Sequence, residues 1–160
     1  MTFPAAPTLT ALSALAFLVS GPARAADLPA GLSGEWFNGS ISMLQYYDRL
    51  KDTFTPASQA GASWEFGQDR TYTFVQVLQL SGVGCDQTVF TWHRGSFEVS
   101  GATLNIHPKR STIEIKSGCN PTKVLKDTIK PYSVPWRLEQ DNGEIVLYAN
   151  ERLYRSARSR

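Results

Sequence analysis

Residues 71–80 read TYTFVQVLQL, a run whose side chains alternate between two faces with a period of two. In an extended chain Tyr72, Phe74 and Gln76 share one face, and the residues between them share the other. Alternation of aromatic and β-branched residues over this length is typical of a half-buried β-strand and not of a helix. The run is therefore predicted to form a long strand.

The same period continues on both sides of this run. Shorter alternating runs lie at residues 63–67, 88–94, 96–99, 103–107, 112–116, 134–139 and 144–148. Turn signals separate them at Gly67–Arg70, Ser81–Gly84, Ser100-Gly101 and Asn142-Gly143, the last being a type I′ hairpin signature. Strands joined by short turns predict an antiparallel meander. About eight such strands predict an all-β, up-and-down β-barrel, with a β-sandwich as the alternative.

Two segments favour a helix over a strand. Met43–Phe54 could form one or two helical turns. Pro121–Lys130 has apolar residues at near-helical spacing, and its proline suits the first turn of a helix. Each segment is predicted to form a short helix on a loop.

The N-terminus has the pattern of a signal peptide. Thr8–Ser20 is apolar and free of charge, a length that fits the hydrophobic region of a signal peptide and is short for a membrane span. Ala23-Arg24-Ala25 matches a cleavage site; a buried N-terminal helix is the alternative. We therefore predict a signal peptide at residues 1–25, a single barrel domain at 26–155 and a disordered basic tail at 156–160. The mature protein is expected to be secreted or periplasmic.

Composition excludes several classes of protein. Of the 160 residues, 42% are hydrophobic and 19% are charged, which excludes a disordered chain, a coiled coil and a collagen-like fibre. The 16 basic and 14 acidic residues give a net charge of +2, too weak a basic bias for a typical nucleic-acid-binding protein. No second apolar run follows the signal region, so no transmembrane segment is expected.

The two cysteines are expected to form a disulfide bond. Cys85 and Cys119 are the only cysteines, and both lie in the region predicted to be exported. A metal pair or a catalytic nucleophile is the alternative, but the chain has no C-x-x-C motif and no histidine adjacent to either cysteine. The disulfide is therefore the favoured interpretation.

The segment Leu32-Ser33-Gly34-Glu35-Trp36-Phe37 resembles the start of the first strand in the lipocalins and the wider calycin group. The resemblance implies an eight-stranded barrel closed at its bottom by Trp36, with Gly34 beside it. It also implies that a late arginine, Arg152 or Arg155, packs over the indole, and that Ser42–Ala60 covers the barrel mouth. Residues 66–74 and 152–155 are similar to small secreted bacterial β-domains described as lipocalin-like.

The resemblance implies a secreted or periplasmic protein that binds a small, largely apolar ligand inside the barrel. The candidate ligand-binding residues are Tyr46, Tyr47, Gln76, Phe90 and Trp92. The alternative function is a filled barrel without a pocket that binds another protein or an envelope component. The protein partner is not specified by either interpretation.

The sequence does not point to catalysis, a metal or a cofactor. A zinc site would need His93 and His107 together with a carboxylate, and the strand pattern instead predicts two partly exposed histidines. No Gly-x-Ser-x-Gly motif is present, and neither histidine lies in a recognisable catalytic motif. A non-enzymatic protein is therefore expected.

Overall fold

A computed structural model describes residues 28–39, 47–48, 53–54, 60–81 and 84–157. The predicted signal peptide, Tyr46 and residues 158–160 lie outside the described residues. Tyr47 is described through its backbone only, as a strand residue paired with Phe54.

The described part of the chain is almost entirely β-strand. In chain order the strands are β1 (Gly34–Asn38), β2 (Tyr47–Asp48), β3 (Thr53–Phe54), β4 (Gly61–Phe66), β5 (Thr71–Ser81), β6 (Asp86–Ser100), β7 (Thr103–Ser117), β8 (Asn120–Asp127), β9 (Tyr132–Asp141), β10 (Glu144–Ala149) and β11 (Arg152–Ser156). Ser156, which the sequence analysis assigned to the tail, therefore belongs to the last strand.

Eight of these strands close into an antiparallel up-and-down barrel. Their order around the wall is β1, β4, β5, β6, β7, β9, β10 and β11, and β11 pairs back with β1 through Phe37 opposite Arg155. This closure confirms the predicted barrel and excludes the sandwich, because a sandwich keeps two separate sheets. The predicted turn at Asn142-Gly143 is also confirmed, with φ angles of 52° and 87°.

The hairpin of β6 and β7 is longer than the sequence predicted. Each strand has 15 residues, or about 50 Å of extended chain, and merges two runs predicted as separate strands. The connecting turn is Gly101-Ala102 instead of Ser100-Gly101. The first part of β7 pairs with β9 inside the barrel, whereas Ile113–Ser117 pairs with β8. We call residues 86–90, 113–117 and β8 together the arm.

The cysteine pair lies at the tip of the arm. Cys85 and Cys119 are joined as predicted, with their Cα atoms 5.5 Å apart. The helix predicted over Pro121–Lys130 is wrong for most of its length, because Asn120–Asp127 is strand β8. Pairing with the edge of β7 satisfies backbone groups that a short helix would leave to solvent, and an edge strand tolerates Pro121. In Met43–Phe54, likewise, Tyr47–Asp48 pairs with Thr53–Phe54 instead of forming a helix.

The barrel has two different ends. The turns at 67–70, 101–102 and 142–143 lie at one end, which we call the turn end. The loop at 128–131 and the turn at 150–151 lie at the other, which we call the cavity end. A packed core fills the turn end; among its buried members are Leu32, Trp36, Phe66, Tyr72, Phe97, Leu104, Ile106 and Leu147. This half of the barrel is therefore filled by its own side chains.

Trp36 is buried at the turn end, as expected. Its side chain is 3% exposed, and its indole N–H donates a hydrogen bond of 2.9 Å to the Leu32 carbonyl. Gly34 begins the strand with a φ of 132°. The chain that leads into β1 thus caps the indole.

The arginine expected to cover Trp36 is placed differently. Arg155 is on the outward face of β11, where it forms ion pairs with Asp141 (3.1 Å) and Glu144 (3.6 Å). Arg152 lies at the cavity end. Among the described residues, the cation–π contacts are Arg94 over Trp92 and Arg137 over Tyr148. The resemblance to lipocalins is therefore carried by the barrel and Trp36, not by an arginine stacked on it.

A β-bulge adjusts the pairing of the long hairpin. Arg94 pairs with Arg110 and Gly95 with Pro108, so that Lys109 is an extra residue on β7. The extra residue allows both Ile106 and Ser111 to face inward. A Cβ atom on residue 95 would meet the His107 carbonyl oxygen, so this crossing requires glycine.

Replacing Trp36 with alanine should lower the free energy of unfolding by about 3–5 kcal/mol, because it leaves a cavity in a filled core. Urea denaturation measures the loss. Ile145→Ala is the control, since this side chain is 53% exposed and should change stability by less than about 0.5 kcal/mol. A loss below about 1 kcal/mol for Trp36→Ala would contradict the packing described above.

Gly95→Ala should destabilise the protein by about 1–3 kcal/mol, because the added methyl group forces the backbones of β6 and β7 apart. Ser100→Ala, at the exposed end of the same strand, is the matched control. Thermal unfolding of the two variants compares them directly. Equal melting temperatures would show that the two backbones are not in close contact at this position.

Candidate functional site

A cavity of about 510 Å³ occupies the cavity end of the barrel. Its volume falls within the usual range for small-molecule sites. The described residues that line it are Trp64, Phe74, Gln76, Thr91, His93, Ile129, Lys130, Pro131, Tyr132, Val134, Ala149, Asn150, Arg152 and Tyr154. The barrel is thus filled at one end and hollow at the other.

Aromatic rings form the floor of the cavity. Trp64 on β4 and Phe74 on β5 are directly opposite each other in the sheet, and their ring centroids are 4.4 Å apart. His93 on β6 is the next residue in this row and stacks on Phe74 at 4.8 Å with an interplanar angle of 29°. Cross-strand pairing of three rings gives a largely apolar surface, in which the Trp64 ring is tilted by 48° from that of Phe74.

His93 is held between two tyrosine hydroxyls. Its Nδ1 atom is 2.9 Å from the Tyr72 hydroxyl, and its Nε2 atom is 3.1 Å from the Tyr132 hydroxyl. The histidine side chain is only 1% exposed. Both ring nitrogens therefore have hydrogen-bond partners although the ring is buried. A polar group that keeps its hydrogen bonds loses little free energy on burial.

Burial keeps this histidine neutral. Loss of hydration lowers the pKa of His93 to about 3. Burial also raises the pKa of Tyr72 and of Tyr132 well above the usual range, so both phenols keep their protons. A neutral imidazole has one N–H and one bare nitrogen, so it donates to one tyrosine and accepts from the other. The tyrosine that accepts keeps its own O–H free to donate.

Polar groups surround the rim of the cavity. Gln76 and Thr91 pair with each other one pleat above Phe74 and His93, towards the cavity end. The loop at 128–131 is fastened there by a hydrogen bond of 2.9 Å from the Ile129 amide to the Ser111 hydroxyl. Ser111 faces inward because it pairs with His93.

Tyr154 and Trp64 contribute polar atoms between floor and rim. Burial raises the pKa of Tyr154, while the Trp64 N–H and the Arg152 guanidinium act against that rise. The Trp64 N–H faces this hydroxyl without a hydrogen bond of good geometry, although the indole is only 3% exposed. A buried donor of this kind can bind an acceptor on a ligand.

The structure places the predicted ligand-binding residues in different environments. Gln76 lines the cavity; that it binds a ligand stays a prediction. Phe90 and Trp92 lie on the outward face of β6, because Thr91 and His93 face inward; Trp92 is nevertheless buried, at 8% exposed. Arg152, expected to have a structural role, lines the rim.

The sequence analysis missed His93, Tyr132, Trp64 and Tyr154 as cavity residues. His93 was expected to be partly exposed, and the structure corrects this. The strand pattern already placed Thr91 and His93 on one face and Phe90 and Trp92 on the other. Which face points inward depends on the pairing with β5, and the sequence of β6 alone does not contain that information.

The described residues contain no group of three or more His, Cys, Asp or Glu side chains placed to hold a metal ion. None of their helices has both the length and the apolar character needed to cross a bilayer.

Comparison of the chain with protein-family models, with curated proteins and with solved structures found no match. The function is therefore argued from the site itself.

Protonation of His93 should make stability depend on pH. Above pH 6.5 His93 is neutral in both the folded and the unfolded protein. Below pH 6.5 it binds a proton in the unfolded chain, whereas in the folded protein it stays neutral down to about pH 3. This histidine therefore lowers the free energy of unfolding by up to about 1.4 kcal/mol per pH unit as the pH falls through this window. Urea denaturation between pH 7 and pH 4 measures the slope.

One variant isolates the histidine from the carboxylates that also titrate in acid. His93→Gln should show a shallower slope than the wild type. Identical slopes for the two proteins would mean that the folded state binds a proton at His93 as readily as the unfolded chain does.

Proposed function

We propose that the protein is an exported, lipocalin-like binding protein that holds a small, largely apolar molecule in the cavity. The observation that carries the proposal is the division of the barrel. Its turn end is filled by packed side chains, while its cavity end has an open cavity of about 510 Å³. A barrel whose only role was to be a rigid scaffold would gain stability by filling this space.

The chemistry of the lining matches such a ligand. The faces of Trp64 and Phe74 provide apolar contact, and burying about 250 Å² of ligand surface against them contributes about 6 kcal/mol. The costs of association reduce this gain, so the polar groups are needed for orientation as well as affinity. Gln76 and Tyr132, both in the cavity lining, supply those groups.

Two observations support export. The Cys85–Cys119 pair is of a kind that persists in oxidising compartments such as the periplasm or the extracellular space. The N-terminal sequence has the pattern of a signal peptide, as described above. Both agree with a carrier that meets its ligand outside the cytoplasm.

A second candidate function is the binding of another protein or an envelope component through the arm. The cavity-facing side of the arm and of β5 carries aliphatic residues that are only partly buried, and Leu80 is 49% exposed. The others are Leu78, Val89, Ile113 and Ile115. A partner bound there would leave the cavity unused, which makes this the less favoured function.

A filling substitution distinguishes the two functions. Thr91→Trp places a large ring in the cavity, so it should weaken binding of N-phenyl-1-naphthylamine, a neutral apolar fluorophore, by about tenfold or more, the equivalent of about 1.4 kcal/mol. Thr88→Trp, on the outward face of the same strand, is the matched control and should bind like the wild type. Fluorescence titration measures both affinities.

The proposal fails if the wild-type protein does not bind the fluorophore at all. It also fails if Thr91→Trp and Thr88→Trp bind the fluorophore as well as the wild type does, because the fluorophore is then bound elsewhere.

A further inference from the structure

The described lining of the cavity carries positive charge only. Arg152 and Lys130 are its two cationic residues, and none of its described members is Asp or Glu. His93 adds no charge, since it is buried and neutral at ordinary pH. The described lining thus carries two positive charges at the rim and no negative one.

The arginines that point out of the barrel differ from Arg152 in having carboxylate partners. Arg155, on the same strand as Arg152, contacts both Asp141 and Glu144. Arg137 contacts both Glu139 and Glu151. Arg152 has no carboxylate partner among the residues that the structure describes, even though Glu151 precedes it in the chain. The inward-facing guanidinium is therefore available to a ligand.

The uncharged groups of the cavity are rich in hydrogen-bond donors. The buried Trp64 N–H has no acceptor of good geometry within the described residues. The Tyr132 hydroxyl, 3.1 Å from His93 Nε2, also lines the cavity and can donate to a ligand when the histidine nitrogen donates to it. An acceptor-rich ligand fits such a lining better than one that carries donors.

We infer that the ligand is an organic acid, with an apolar body against Trp64 and Phe74 and an ionised head group at Arg152. This inference rests on the proposed function and names the chemical class of its ligand. The head group lies at the rim and the body lies on the floor, because the cations lie above the aromatic row. Lys130 supports the head group from the loop at 128–131.

The position of Arg152 determines how strongly the cavity should prefer an acid over a neutral ligand. Its side chain is exposed, so water and salt weaken its attraction for an anion. A charge-assisted contact at such a site should favour the acid over a neutral isostere by about five- to tenfold, not by several orders of magnitude. Raising the salt concentration should reduce the preference.

The test compares two ligands of nearly the same shape. 2-Naphthoate carries a carboxylate, and 2-naphthamide replaces it with a neutral amide. Isothermal titration calorimetry at neutral pH should show the wild-type protein binding the naphthoate about fivefold more tightly or better. Arg152→Gln should abolish this preference without weakening the amide, and Arg152→Lys should retain most of it. Arg155→Gln, the outward-facing control on the same strand, should keep the full preference.

The possible outcomes distinguish the preference for an acid from the proposed ligand-binding function on which it rests. If both naphthalenes bind the wild-type protein equally, the acid preference is absent, although a small apolar ligand still binds. If Arg152→Gln weakens the binding of both ligands equally, the arginine maintains the shape of the cavity and does not bind the head group. If neither naphthalene nor the neutral fluorophore binds, the ligand-binding function and the inference are both overturned.

Discussion

The register of β6 against its neighbours is the constraint on which the rest of the structure depends. Side chains alternate along a strand, so a slip of one residue would turn Trp92 into the barrel and His93 out of it. The pairing of β6 with β5 extends from Thr71 opposite Ser96 to Ser81 opposite Asp86, without interruption. On the other side the bulge at Lys109 keeps both halves of β7 facing correctly. The floor of the cavity exists because this register is fixed.

The two ends of the barrel show how the same strands serve two purposes. At the turn end the inward positions of β1, β4 and β6 hold large apolar side chains that interlock. At the cavity end the inward positions of β5 and β6 hold Gln76 and Thr91, which do not fill the space between them. The change from packing to cavity takes place over about one pleat of each strand. The difference between the packed end and the cavity end is therefore due to the side chains, because the same backbone strands run through both ends.

Much of the fold could be predicted from the sequence, because many strands and turns are determined by residues that are close together in the chain. The period of two in residues 71–80 and the turn at Asn142-Gly143 each follow from residues close together in the chain. The merging of two predicted runs into β6, and the strand pairing of Asn120–Asp127, depend on contacts with distant residues. A short segment with some helical spacing becomes a strand when a neighbouring edge offers hydrogen bonds.

The candidate site was harder to predict, for a related reason. Gln76 was found because it lies within the clearest run of alternation. Tyr132 and Tyr154 reach the cavity only through the closure of the barrel between β7 and β9 and between β11 and β1. His93 looked like an ordinary strand histidine, since neither of its tyrosine partners is near it in the sequence.

The disulfide at the tip of the arm has a consequence for the denatured chain. Cys85 and Cys119 flank β6 and β7, so the covalent ring of the oxidised chain contains the whole of the longest hairpin. In the oxidised denatured state the far ends of both strands are already tethered to each other, and only the turn at Gly101-Ala102 remains to be formed between them. Such a ring lowers the entropic cost of bringing the strands together and excludes large slips of one strand past the other. Oxidation before folding thus favours the pairing of β6 with β7, while the register of β6 against β5 decides that His93 lies inside the barrel.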